Sequence, residues 1–167
     1  MLNMLLLLIF PALMAYAACS DLLTMRISNR VSLLLIAGFV VVAFVAGLSW
    51  PAIGMHAGLA AIVLVVAFSF FAFGWIGGGD AKLAAATALW LGPDLALSYL
   101  MLAALFGGVL TLIFLLVRRY ALPAGLLRMG WVVRLHNRSE GVPYGIALAA
   151  AAMIIYPQTT VFHIFAI

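Results

Sequence analysis

Apolar runs of about 20 residues follow one another through this chain with almost no charge inside them, and a run of that length is what crosses a bilayer as a helix. Of the 167 residues, 69% are hydrophobic and 7% are charged. A soluble domain carries about 25% charged residues to cover its surface. A chain this poor in charge cannot cover itself in water, so its surroundings must be largely hydrocarbon. Lipid excludes open sheet edges, and the apolar runs do not alternate with polar residues, so the spans are helices rather than barrel strands. The fold class predicted is therefore an all-α integral membrane protein, one domain over residues 1–167.

The runs place helices over about Leu2–Ala18, Val31–Leu48, Ile53–Phe73, Asp80–Leu91, Leu95–Val117 and Gly145–Phe162, about six spans in all. Trp50-Pro51 and Gly92-Pro93 close two of the junctions. The fourth run is short for a full crossing. The 8 Lys and Arg residues all fall in odd-numbered loops: Arg26 and Arg30, then Lys82, then Arg118, Arg119, Arg128, Arg134 and Arg138. Basic residues stay on the untranslocated side, which makes those loops cytoplasmic and both termini external. The formal charge of +4 then reflects topology rather than a nucleic-acid partner. Leu126, Leu127, Met129, Trp131, Val132 and Val133 lie among the arginines of loop 118–140. That mixture fits either an amphipathic segment on the anionic leaflet or an ordinary basic loop.

Cys19 is the single cysteine, so no disulfide framework or Cys-rich metal site can form within the chain. It reads as a small core residue. Tyr16-Ala17-Ala18-Cys19 has a slight likeness to a lipoprotein cleavage box, but no basic residue precedes the apolar stretch, and the first helix is expected to be retained. His56, His136 and His163 are too scattered to form a metal-ligand set. Neither a metal nor a cofactor is expected.

Of the 4 acidic residues, Asp94 follows Gly92-Pro93 as a turn residue and Glu140 ends the basic loop. Asp21 and Asp80 demand more, because a carboxylate at an apolar span is costly. The topology puts both at the same depth on the same side. Two carboxyls brought within a few ångströms share a proton. One can then act as general base on water while the other donates to a carbonyl oxygen. Structural readings stand beside this: Asp80 as an N-terminal cap for 81–91, and Asp21 paired with Arg26. A proton-coupled transporter or a non-catalytic assembly subunit would also hold such carboxylates. Gly77-Gly78-Gly79 immediately before Asp80 leaves room for another backbone, such as an extended substrate, to approach.

Gly77-Gly78-Gly79-Asp80-Ala81-Lys82 resembles the Gly-x-Gly-Asp-x-Lys signature of type IV prepilin peptidases, which are GxGD intramembrane aspartic proteases. Asp21-Leu22-Leu23-Thr24-Met25-Arg26-Ile27-Ser28-Asn29 resembles that family's Asp-x4-Arg-Ile-Pro-Asn motif, with Ser28 in the proline position. Val142-Pro143-Tyr144-Gly145-Ile146-Ala147 resembles its Pro-Tyr-Gly-x-Ala element. The resemblance implies an aspartic endopeptidase of the bacterial inner membrane, with Asp21 and Asp80 as catalytic residues. It further implies that the enzyme removes leader peptides from prepilins or pseudopilins on the cytoplasmic side. Arg26, Asn29, Gly77, Gly78, Gly79, Lys82, Pro143, Tyr144 and Gly145 would shape the site or hold substrate. The first loop is short and lacks the Cys-x-x-Cys pairs of bifunctional members, so no N-methyltransferase activity is expected. The short form is most similar to the peptidases of Flp/Tad-type pilus systems.

Overall fold

A computed structural model describes residues 2–166. The described chain is helical: α1 (Leu2–Thr24), α2 (Asn29–Val45), α3 (Trp50–Ala72), α4 (Gly78–Val117), α5 (Gly130–His136), α6 (Gly145–Ile155) and α7 (Thr160–Ala166). Three helices, α1, α3 and α4, are long and apolar enough to cross a membrane, and α6 with α7 makes a fourth if the bent pair counts as one span. Large aliphatic and aromatic side chains such as Val41, Phe44, Ile62, Val65, Leu105 and Leu112 face outward. Patches of that extent would associate in water, and they are compatible with a lipid-facing exterior.

The first arm of α4 is the core. Every residue from Leu83 to Gly92 is buried, against α2, α3 and α6. Ala84, Ala85, Ala86 and Ala88 let the neighbouring helices approach closely, the packing device of helices in lipid. Trp90 lies fully buried beside Phe10 and Phe39, and its indole N–H donates to Leu35 O at 2.8 Å.

Two prolines interrupt this bundle, and in each case a side chain takes over the orphaned carbonyl. A helical proline lacks the N–H that would bond the carbonyl four residues earlier, and in lipid no water replaces it. Pro11 lies inside α1, and the Tyr156 hydroxyl donates to Leu7 O at 3.2 Å. Pro93 follows Gly92, whose φ of 73° and ψ of 178° break α4 into two arms. There His56 Nδ1 lies 2.7 Å from Leu89 O. A carbonyl only accepts, so Nδ1 carries the proton.

Three boundaries differ from the sequence reading. The first helix continues past Ala18 to Thr24, which puts Asp21 on a helix turn rather than in a loop. The fourth and fifth runs join at the Gly92 break. The last apolar run is two helices bent by 60°, because Pro157 occupies the turn Tyr156–Gln158 and Thr159 Oγ1 then accepts from Phe162 N–H at 3.1 Å to start α7. Loop 118–140 contains α5. Arg118, buried to 8% exposure, donates from Nε to Leu135 O at 2.8 Å, from Nη1 to Glu140 O at 3.1 Å and from Nη2 to Gly141 O at 2.7 Å. A single guanidinium thus clasps both ends of the loop's return path.

Candidate active site

Asp21 lies on the last turns of α1, 6% exposed. Its Oδ2 accepts the backbone N–H of Gly145, the first residue of α6, at 2.7 Å. Asp80 is in the first turn of α4, three residues beyond the cap residue Gly77, so the structure does not use it as the cap. Its Oδ1 is buried with no hydrogen-bond partner among the described residues. Each carboxylate therefore sits at the amino end of a helix, where free N–H groups and the helix dipole favour negative charge. Desolvation opposes that preference. Both aspartates line one cavity of about 570 Å³, together with Arg26, Asn29 and Gly77–Gly79.

The turn from α1 to α2 forms the cavity's other wall. Met25 holds φ at 55°, a left-handed conformation that costs an L-residue about 1–2 kcal/mol. Thr24 Oγ1 meets Ser20 O at 2.7 Å and Arg26 O at 3.2 Å, and Ser20 Oγ donates to Arg26 O at 2.9 Å. Arg26 thus contributes its carbonyl to the turn. Ser28, at the motif's proline position, has φ −67°, a value proline also adopts, and its side chain caps α2 by accepting from Arg30 N–H. The departure from the motif therefore keeps the backbone and adds a cap.

Asn29 begins α2, and its Oδ1 accepts from Lys82 Nζ at 2.9 Å, which ties the first motif to the second. The glycines before Asp80 make room for the chain's own groups. A Cβ at Gly77 would fall 2.7 Å from Asp80 Oδ2, and one at Gly79 would fall 3.1 Å from Ile27 Cβ. Pro143 is fully buried. The Tyr144 hydroxyl donates to Ala103 O at 3.2 Å and sets the start of α6 beside Asp21. Tyr144 faces a separate apolar groove of about 550 Å³ between α3, α4 and α6, whose lining also includes Asp80.

A protein-family model described as the type IV leader peptidase family matches residues 8–112, more than half of the chain. The chain belongs to the type IV leader peptidase family. No curated protein and no solved structure matches it. Membership makes this a leader-peptidase-like protease whose family acts on prepilin-type substrates. The family match covers Asp21 and Asp80 but stops short of Pro143-Tyr144-Gly145, which the fold nevertheless brings to Asp21.

Of the site residues anticipated from sequence in this member of the leader peptidase family, Asp21, Arg26, Asn29, Gly77–Gly79 and Asp80 share the polar cavity. Gly145 bonds Asp21 from behind. Lys82 lines a different groove, and Tyr144 and Pro143 buttress α6. Sequence reasoning missed Met25 and Thr24, which line the cavity, and two arginines that brace the neighbouring loop: Arg118, described above, and Arg134, whose Nη1 donates to Leu23 O at 3.0 Å and fastens α5 to the end of α1. Five arginines in one loop look alike in sequence, so nothing there distinguished them. Among the described residues no group of three or more His, Cys, Asp or Glu side chains is placed to hold a metal ion.

Proposed function

We propose that this chain is an aspartic endopeptidase of the bacterial inner membrane that removes the leader peptide from Flp-type prepilins or pseudopilins on the cytoplasmic side, with Asp21 and Asp80 as the catalytic pair. The observation that carries the reading is the shared cavity: two acidic side chains from distant parts of the sequence line one polar recess. One is anchored by Gly145 N–H, and the other keeps a buried carboxyl oxygen unpartnered among the described residues. In this reading one carboxylate takes a proton from a water in the cavity, and the hydroxide oxygen bonds to the scissile carbonyl carbon. The other carboxyl donates its proton to the carbonyl oxygen. The resulting tetrahedral centre collapses as the first carboxyl passes the water's proton to the amide nitrogen, the second carboxylate takes its proton back from the oxygen, and the C–N bond breaks. The pair titrates as a unit, and no metal or cofactor enters.

The reading includes six crossings, counting α2 and each arm of α4 separately, with both termini outside. It is supported by the basic residues, two of which bond to the segment that joins α1 to α2 or its flanks, through Lys82–Asn29 and Arg134–Leu23. The chain also acts without N-methyltransferase activity in this reading, since the α1–α2 connection spans only residues 25–28 and the sequence holds one cysteine.

The test is co-expression with a Flp-type prepilin, following leader removal by gel shift and N-terminal sequencing. Wild type should cleave, and Asp21→Asn and Asp80→Asn, inserted at equal levels, should not. Continued cleavage by either variant removes that residue from the mechanism.

A further inference from the structure

A second groove, of about 520 Å³, runs between α2, α3 and the first arm of α4. Its walls are aliphatic, with Leu33, Ile36, Leu64 and Leu89 among them, and its polar residues are Asn29, Ser32 and Lys82. All three lie in the opening turns of α2 and α4, at the same end of the bundle as the aspartates. Lys82 is two residues beyond Asp80, which turns it about 200° around α4, consistent with its lining this groove and not the polar cavity.

These polar groups are short of partners. Ser32 is 7% exposed, lines the groove, and its hydroxyl has no hydrogen-bond partner among the described residues. A buried hydroxyl left that way carries a desolvation cost that a ligand acceptor would relieve. Lys82 Nζ donates to the neutral Asn29 Oδ1, which occupies one of its three hydrogens and leaves its charge uncompensated by that partner. An ammonium and an unpaired buried hydroxyl at one end of an aliphatic groove are complementary to an anion attached to a hydrocarbon chain. In a membrane the abundant molecule of that chemistry is an anionic phospholipid.

We infer that the α2–α3–α4 groove is a binding site for an anionic phospholipid, with the headgroup phosphate on Lys82, Ser32 and Asn29 and an acyl chain along Ile36, Leu64 and Leu89. This goes beyond the peptidase reading and stands or falls apart from it. A lipid seated there bridges the starts of α2 and α4, the two segments that frame the aspartate cavity.

The experiment is native mass spectrometry of the full chain released from detergent with phosphatidylglycerol, or a diacylglycerol of the same acyl chains and no phosphate, added at equal concentration. Wild type should retain phosphatidylglycerol about tenfold better, the weight of one charge-assisted hydrogen bond. Ser32→Ala should erase most of that preference while leaving lipid-free thermal unfolding unchanged or raised, because the hydroxyl it removes has no partner among the described residues. Ala61→Trp, an exposed position on the groove wall, should block retention of either lipid. Equal retention of the two lipids by wild type overturns the proposal. So does a phosphatidylglycerol preference that both variants preserve, which would place the lipid elsewhere. A photo-cross-linking residue at position 64 that captures prepilin and no lipid would overturn it as well.

Discussion

Substituting Gly145 by alanine should slow cleavage without unfolding the protein. The added Cβ would stand 2.9 Å from Asp21 Oδ2, 3.1 Å from Asp21 Cβ and 2.8 Å from Ile27 Cδ1, where ordinary contact begins at 3.4 Å. Asp21 and the start of α6 must therefore separate by about half an ångström, which stretches the 2.7 Å Gly145–Asp21 bond. Overpacking of this kind costs about 1–3 kcal/mol. Displacement of a catalytic group by up to 1 Å lowers turnover as much as about 100-fold, so half that distance should give about a tenfold loss. Gly141→Ala is the control, because its Cβ would meet only Met25 Cε, at 4.0 Å. Leader removal is followed over time in membranes containing equal amounts of each protein. A Gly145→Ala rate within twofold of wild type, with Gly141→Ala equal to wild type, would refute the argument that Asp21 is held in place from α6.

Three further outcomes test the scaffold. Gly107→Ala puts a methyl group into the space of the Tyr144 ring; it should destabilise the protein by about 1–3 kcal/mol and slow cleavage, read by thermal unfolding and the same leader assay. Arg118→Gln strands the carbonyls of Leu135, Glu140 and Gly141; a loss of about 2–4 kcal/mol should appear as earlier proteolytic nicking within residues 118–140. Tyr156→Phe leaves Leu7 O unpaired at about 1–2 kcal/mol, and Pro11→Ala supplies a helical N–H to that carbonyl, so the cost of Tyr156→Phe should vanish in the Pro11→Ala background, measured as a double-mutant cycle in thermal unfolding.

The helices were legible because lipid allows little else: an apolar run bounded by Trp50-Pro51 or by Gly74–Gly79 has one way to satisfy its backbone. Asp21 and Asp80 were legible for the opposite reason, as charges where charge is costly. The bend at Pro157 was written in the sequence but outweighed by the apolar residues around it. What stayed hidden works through backbone atoms. Gly145 acts on Asp21 by an N–H that every residue but proline possesses, and only the resemblance of Pro143-Tyr144-Gly145 to a known element singled it out. Arg118 acts on carbonyls, which carry no sequence signature. The three glycines, read as space for a visiting chain, line the cavity, and the sequence did not reveal that Gly77 and Gly79 also lie close against Asp80 and Ile27.

The Asp21–Gly145 hydrogen bond joins residues 124 positions apart. Polypeptides grow at about 5–20 residues per second, so Asp21 is synthesised roughly 6–25 seconds before the N–H that holds it exists. A nascent chain carrying only α1 to α4 has both aspartates and no brace for the first. The hydrogen-bonded setting of Asp21 is thus completed only by the end of the chain that is made last.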